Sequence, residues 1–334
     1  MRPGRDRAIG MNGAGRSFRT SVKAGLRGLK ALAKQAHVDL GGDHRDAIFL
    51  AGSGRGGTTW IAEMINYDNA LRFIFEPFNP RVVPLCRAFA NRQYLRAGDM
   101  RPEFVDAARA IVTGRFRNGW ADYYNHRIVS RKRLIKDIRT HLCLRWLYEL
   151  FPGMPIVLLL RHPCAIAASR LRYGWHNDLG AMLAQPQLVD DYLGPMRREL
   201  DRIADPFAMH VAQWCVENYV PLRQFAAGEI HVAFYEDFRS DPRREIARMF
   251  AFIGRPLTED AFTRLARPSS MAWESAAGIA LGGARSDGWK SSVSDDDAKR
   301  AIEVLQLFGL DRLYSTEAEP RIPPGEILPA AVRA

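Results

Sequence analysis

Hydrophobic positions in this chain follow two spacings, and from residue 46 onward the two alternate. Short, mainly apolar runs lie at residues 47–51, 71–75, 133–136, 155–160 and 230–235. Runs of this length, rich in Ile, Leu, Val and Phe, suit strands buried on both faces of a parallel sheet. Between them, helical spacing predicts helices from Thr58, over 141–150, from Pro163, over 241–253 and after Ser294. Pro163 fits a first helical turn, where its missing N–H would be unpaired in any case. Ser294, with Asp297 three residues on, reads as a capping box. Two longer stretches interrupt the alternation: 80–128 reads as helical and irregular, and 175–228 as mainly helical. The pattern predicts an α/β fold, a parallel sheet with helices on both faces and long helical insertions. Residues 268–288, rich in Gly, Ser and Ala, predict a mobile loop.

The N-terminal part follows a different pattern. Residues 1–16 are rich in Gly and Arg and predict disorder. Phe18, Val22, Leu26 and Leu29 then recur at helical spacing among Lys23, Arg27, Lys30 and Lys34, which predicts a basic amphipathic helix. Such a helix either packs on its own domain or makes peripheral contact with a membrane through residues 17–36. The chain is therefore divided into a basic extension (1–45), one domain (46–315) and a C-terminal tail (316–334).

Charge sharpens this division. The net charge is +11, and residues 1–45 hold ten Lys/Arg against three Asp, so +7 of it sits in the extension. A basic chain can meet nucleic acid, an anionic membrane or a polyanionic substrate, and a solvated basic arm accounts for the charge equally well. No nucleic-acid partner is expected, because the charge is concentrated in the extension and no recognised binding motif accompanies it. No apolar run approaches the roughly 20 residues that span a bilayer, and no secretory h-region is present. A cytoplasmic location, with the peripheral membrane contact above as its alternative to a purely solvated enzyme, is the expectation. Cys86, Cys143, Cys164 and Cys215 are far apart in sequence, which predicts buried thiols and no metal site.

The densest local chemistry follows the first run: Gly52, Ser53, Gly54, Arg55, Gly56, Gly57, Thr58, Thr59 and Trp60. Glycines let the backbone turn sharply around an anion. A helix start supplies N–H groups and a positive dipole end, and Thr58 and Thr59 add hydroxyls. Gly52 and Gly57 have the spacing of a nucleotide-binding P-loop, but Thr58 stands where that loop needs Lys. The cation is Arg55, inside the loop. A triphosphate with Mg²⁺ is poorly served by this arrangement, and a phosphosulfate is served well. A tight strand–helix turn without ligand is the structural alternative. At the end of the fourth run stand Arg161 and, eight residues on, Ser169. Carboxyl ends of parallel strands are where open α/β sheets bind ligands, and an Arg fork suits a phosphate. Arg161 as a helix cap with Ser169 facing solvent reads equally well from these two residues alone.

In this order and context the residues resemble the sulfotransferases that use 3′-phosphoadenosine-5′-phosphosulfate (PAPS), in the style of carbohydrate-type and bacterial members. The resemblance spans about residues 46–314. It implies that Arg55, Gly56, Gly57, Thr58, Thr59 and Trp60 bind the 5′-phosphosulfate, and that Arg161 and Ser169 bind the 3′-phosphate. Tyr235, followed by Glu236, Asp237 and Phe238, looks like the strand end common in these enzymes. Trp289 and Lys290 resemble the C-terminal segment that closes over the nucleotide. The implied reaction is an in-line displacement in which the acceptor oxygen attacks sulfur and charge grows on the leaving bridging oxygen. Arg55, the loop N–H groups and Lys136 would stabilise that charge. Where many cytosolic members carry a His two residues after the third-strand Lys, this chain has Ile138. Glu76, in a Glu-Pro segment like that of carbohydrate sulfotransferases and after a strand expected to lie beside the phosphate-loop strand, is the candidate base, with His141, His162 and His176 as rivals. A salt-bridged or capping role for Glu76 is the alternative. The acceptor, a small molecule or glycan, would be bound by residues 78–130 and 172–205, which carry Arg81, Arg87, Arg92, Arg115, Tyr123, Tyr124, Arg172, Tyr173 and Trp175. Core packing and solvent exposure account for those residues as well. Competing readings are a P-loop kinase or NTPase, which the residue at 58 disfavours, and a basic nucleic-acid-binding protein.

Overall fold

The five apolar runs pair with one another as buried strands must, since their amides and carbonyls have no water to bond. A computed structural model describes residues 37–265 and 286–330. Strands β2 (Ala47–Gly52), β3 (Arg72–Phe75), β5 (Arg133–Asp137), β6 (Ile156–Leu160) and β7 (His231–Phe234) form one parallel sheet in the order β3-β5-β2-β6-β7. Every residue of these strands is buried. Successive side chains point to opposite faces. Phe49, Ile135, Leu158 and Phe234 join one core, and Leu50, Leu134, Leu159 and Ala233 join the other.

Helices cover both faces, as the alternation requires. Helices α1 (Thr58–Ile65), α6 (Pro242–Phe252) and α7 (Glu259–Leu265) belong to the second core. Helices α2 (Pro102–Val112), α3 (Leu144–Leu150), α4 (Pro163–Arg172), α5 (Pro206–Gln224) and α8 (Asp295–Leu307) belong to the first, with α5 packed between α4 and α8. The 80–128 insertion contributes α2 and a series of turns. Ser294 caps α8 by accepting from Asp297 N at 3.1 Å. The reciprocal contact of the expected capping box goes to the Ser294 hydroxyl, which donates to Asp297 Oδ2 at 2.8 Å.

Packing extends beyond the expected bounds at both ends, and one expectation needs correction. A second, two-stranded parallel sheet pairs β1 (Val38–Asp39), N-terminal to residue 46, with β4 (Val129–Ser130). Asp39 is the reason: Arg72 and Arg133 open β3 and β5 in register and are both fully buried. Arg133 donates from Nε and Nη2 to Asp39 at 3.0 and 3.1 Å. Arg72 donates to Asp122 at 2.8 and 2.9 Å. The tail is packed as well, with Ile327 fully buried and Pro329 O accepting from Ala227 N at 2.8 Å. Finally, β3 does not lie beside the phosphate-loop strand β2; β5 intervenes. The helix expected within 17–36 and most of the 268–288 loop lie outside the described residues.

Asp39→Ala would leave a buried guanidinium short of its counter-charge, so we expect a stability loss on the order of 3 kcal/mol in urea unfolding. A loss under about 1 kcal/mol would contradict the anchoring role given to β1.

Candidate active site

The phosphate loop is shaped by what its glycines touch. Gly57 has φ +89°, the left-handed region, and a Cβ there would sit 2.6 Å from two ring carbons of Tyr235. Only glycine fits. Gly57 also stands at the N-cap of α1, and no side chain caps that helix. By contrast α4, α5, α6 and α8 are capped by His162, Asp205, Asp241 and Ser294. The first amides and the positive dipole end of α1 are thus left for an anion at the carboxyl end of β2. Thr58 is buried, Thr59 is half-buried, and Trp60 packs into the core, 5.6 Å from the Tyr235 ring. Trp60 therefore has its backbone, and not its indole, to offer a ligand.

Two arginines meet at this loop. Arg55 also has a left-handed backbone, φ 76°. Its Nε donates to Ser169 Oγ at 3.0 Å and its guanidinium lies 4.3 Å above the Tyr173 ring. Arg161 donates from Nη1 to Arg55 O at 3.1 Å and stacks 4.3 Å above the Tyr235 ring. Burial lowers the Arg55 pKa and Arg161 adds to that lowering. Two cations held this close favour an anion between them. Arg55, Gly56, Gly57, Arg161, Ser169 and Tyr235 are thus brought together.

Beneath the loop lies a carboxylate that had not been anticipated. Glu217, on α5, is fully buried. Its Oε2 accepts from Ser53 Oγ at 2.5 Å and Arg170 Nη2 at 3.0 Å. Its Oε1 accepts from Arg92 Nε at 2.7 Å and Gln213 Nε2 at 2.8 Å. Arg170 also donates from Nε to Gly54 O at 3.3 Å. Burial alone would raise the Glu217 carboxyl, but Arg170 and Arg92 outweigh it and hold the group well below the ordinary carboxylate value. The available signal was a single charged residue in the helical stretch from Val211 to Val220, which must be paired if buried.

Glu76, at the end of β3, forms a triad with Lys136 and Arg139. Lys136 Nζ donates to Oε1 at 2.6 Å and Arg139 Nη1 to Oε2 at 2.7 Å. Burial would raise the Glu76 carboxyl; the two cations outweigh that and hold it below its ordinary value. Lys136 lies 4.5 Å above the Phe75 ring, and Trp120, partly exposed, lies 5.5 Å from the same ring. Ile138 and the Trp175 ring both stand against Gly54, so β5 and the segment after α4 flank the loop. Arg92 is buried and paired, while Arg81, Arg87, Arg115 and Arg172 are exposed.

The rival histidines are placed differently. His141 is fully buried, and burial depresses its pKa to about 4. His162 caps α4, bonds Ser315 O at 3.0 Å and stacks on Trp289 at 4.3 Å. His176 is exposed. Trp289 is buried in that stack, and Lys290 Nζ pairs with Glu317 at 2.9 Å. Glu236 accepts from His162 N at 2.9 Å and Tyr314 OH at 3.0 Å, tying the C-terminal segment to the strand end that bears Arg161.

Comparison with known proteins places this arrangement. The family model described as the sulfotransferase domain matches residues 45–275. No curated protein matches the chain. Among solved structures, the sulfotransferase domain from the curacin biosynthetic pathway is 15% identical, with a TM-score of 0.46 over 81% of this chain and 98% of that one. The sulfotransferase domain of the Synechococcus PCC 7002 olefin synthase is 18% identical, with a TM-score of 0.45 over 79% and 94%. A mouse sulfotransferase complexed with PAP is 13% identical, with a TM-score of 0.40 over 83% and 88%.

Burial pushes the Glu236 carboxyl from 4.5 up to about 7. The folded chain therefore keeps a proton that the unfolded chain releases within that window. This contribution is whole below pH 4.5 and is lost as pH rises through about 7. Relative to Glu236→Gln, wild-type unfolding free energy should fall by a few kcal/mol, in order of magnitude, between pH 5 and 8. A pH-independent difference between the two proteins would contradict this.

Proposed function

The chain belongs to the sulfotransferase domain family, and from that premise we propose that it transfers the sulfuryl group of PAPS to a hydroxyl or amine of its acceptor. The observation that carries the choice of co-substrate is the pair of contacts joining two distant motifs: Arg55 to Ser169, and Arg161 to the Arg55 carbonyl. An uncapped helix start and two arginines on aromatic faces make a site for a dianionic linear group flanked by a second phosphate. The 5′-phosphosulfate would lie against Arg55 and the amides from Gly56 to Trp60, and the 3′-phosphate near Arg161 and Ser169. Tyr235 walls the loop, while Trp289 and Lys290 would act through the segment they belong to. When bound, PAPS supplies the activated sulfuryl group.

The chain's own residues do the rest. Arg55 and the α1 amides hold negative charge where the leaving oxygen develops it, and Lys136 approaches from β5. Glu76, kept ionised by Lys136 and Arg139, accepts the acceptor's proton at a carboxylate oxygen. Exposed Arg81, Arg87, Arg115 and Arg172 with Trp120 and Trp175 favour a carbohydrate or glycoconjugate acceptor, since planar rings and cations suit sugars bearing anionic groups. Thr58 at the position of the P-loop Lys sets this reading above a kinase or NTPase. Among the described residues no helix is long and apolar enough to cross a membrane. We propose a cytoplasmic enzyme whose residues 17–36, from their basic amphipathic spacing, either pack on the domain or make peripheral contact with a membrane.

The reading is tested by separating the two phosphates. Arg161→Ala should weaken adenosine 3′,5′-bisphosphate by on the order of 2 kcal/mol and barely change adenosine 5′-phosphosulfate. Equal weakening of both ligands would place Arg161 elsewhere. Glu76→Gln should leave bisphosphate affinity nearly intact and lower kcat roughly 10²-fold. Wild-type turnover in that variant would assign the base to another group.

A further inference from the structure

Arg92 belongs to the 80–128 insertion and lies far in sequence from the phosphate loop, yet only one side chain separates them. Its backbone is left-handed, φ 59°, and its side chain is buried. Its Nε donates to Glu217 Oε1 at 2.7 Å, and its Nη1 bonds Asp178, from the segment before α5. The other Glu217 oxygen accepts from Ser53 Oγ at 2.5 Å. Arg170, on the same carboxylate, reaches Gly54 O at 3.3 Å. Arg92, Glu217, Arg170 and Ser53 are all buried, so water does not relax this line of contacts.

The geometry points to Arg92 as a positioning residue for sulfuryl transfer: through Glu217 it fixes Ser53, and with Asp178 it ties both acceptor-side insertions to the phosphate loop. This rests on the PAPS reading of the loop. A carboxylate held by four side-chain donors has one orientation. With Arg92 gone, Glu217 turns toward Arg170 and Gln213, and the Ser53 hydroxyl and Gly54 carbonyl follow it. Displacements well under an ångström in a preorganised anion site are felt in affinity and rate. The left-handed backbone at Arg92 agrees, since such strain persists only where surrounding contacts hold it.

The test uses the full chain with Arg92→Met, Arg92→Lys, Ser53→Ala and the Arg92→Met/Ser53→Ala double variant. Binding of adenosine 3′,5′-bisphosphate is titrated calorimetrically, and folding is followed separately by thermal melting. Arg92→Met and Ser53→Ala should each weaken binding about tenfold, and the double variant should bind within about threefold of the weaker single, because both changes act through the one Glu217 carboxylate. Arg92→Lys should fall between wild type and Arg92→Met, since an ammonium reaches one of the two carboxylates but not both. A purely structural Arg92 would lower the melting temperature while the folded protein binds with wild-type affinity, and that result overturns the inference. So do effects that multiply in the double variant. If Arg92→Met does not fold, unchanged affinity in Arg92→Lys or Ser53→Ala overturns it. A wild-type chain that does not bind the bisphosphate overturns the PAPS reading and this inference together, whereas wild-type binding with unaffected variants overturns the inference alone.

Discussion

An ionised carboxylate buried in protein must be paired, or folding is opposed by the full loss of its hydration. Glu217 meets that demand with Ser53, Arg92, Arg170 and Gln213, and in doing so it decides where several parts of the molecule sit. Ser53 is in the phosphate loop, Arg170 is on α4 next to Ser169, and Arg92 and its second partner Asp178 come from the two insertions. The same interaction that makes Glu217 tolerable in the core holds the Ser53 hydroxyl and, through Arg170, the Gly54 carbonyl. Replacement of such a network by apolar residues is often neutral for stability, so the reason to keep it here is placement.

The site built over this carboxylate is an anion cradle made mostly of backbone. Gly57 permits the turn, Tyr235 closes one side of it, and the uncapped start of α1 faces the sheet edge. Arg55 and Arg161 add charge, and each is stacked on a tyrosine, Tyr173 and Tyr235, so little freedom is left to lose on binding. Of the four non-glycine residues with positive φ among the described residues, Arg55, Glu76 and Arg92 all belong to the loop, the proposed base or the line beneath them. Strain concentrated in this way is what a preorganised site holds in place with surrounding contacts.

Much of the architecture was legible because buried parallel strands advertise themselves. The runs at 47–51 and 155–160 lie within a residue of β2 and β6, and the glycine loop between β2 and α1 could be read from spacing and chemistry alone. The parts that escaped depend on partners distant in sequence. β1 is two residues long and exists because Asp39 neutralises Arg133, which no local pattern reports. Strand order is likewise non-local, so Glu76 was expected next to the loop strand and stands instead beyond β5, reached through Lys136. Arg55 and Ser169 were each legible, but as binders of different phosphates; their mutual hydrogen bond, which joins the two halves of the site, needed the fold.

The central claim is that this loop binds a 3′-phosphorylated adenylyl anion through helix-start amides and arginines, with Thr58 leaving no place for the lysine that a nucleoside triphosphate requires. Calorimetric titration of the full chain with adenosine 3′,5′-bisphosphate in the presence of a chelator, set against ATP with Mg²⁺, measures that directly. The account predicts micromolar or tighter binding of the bisphosphate, on the order of 8 kcal/mol or more, and weak binding of ATP with Mg²⁺. Tighter binding of ATP with Mg²⁺ than of the bisphosphate would contradict it.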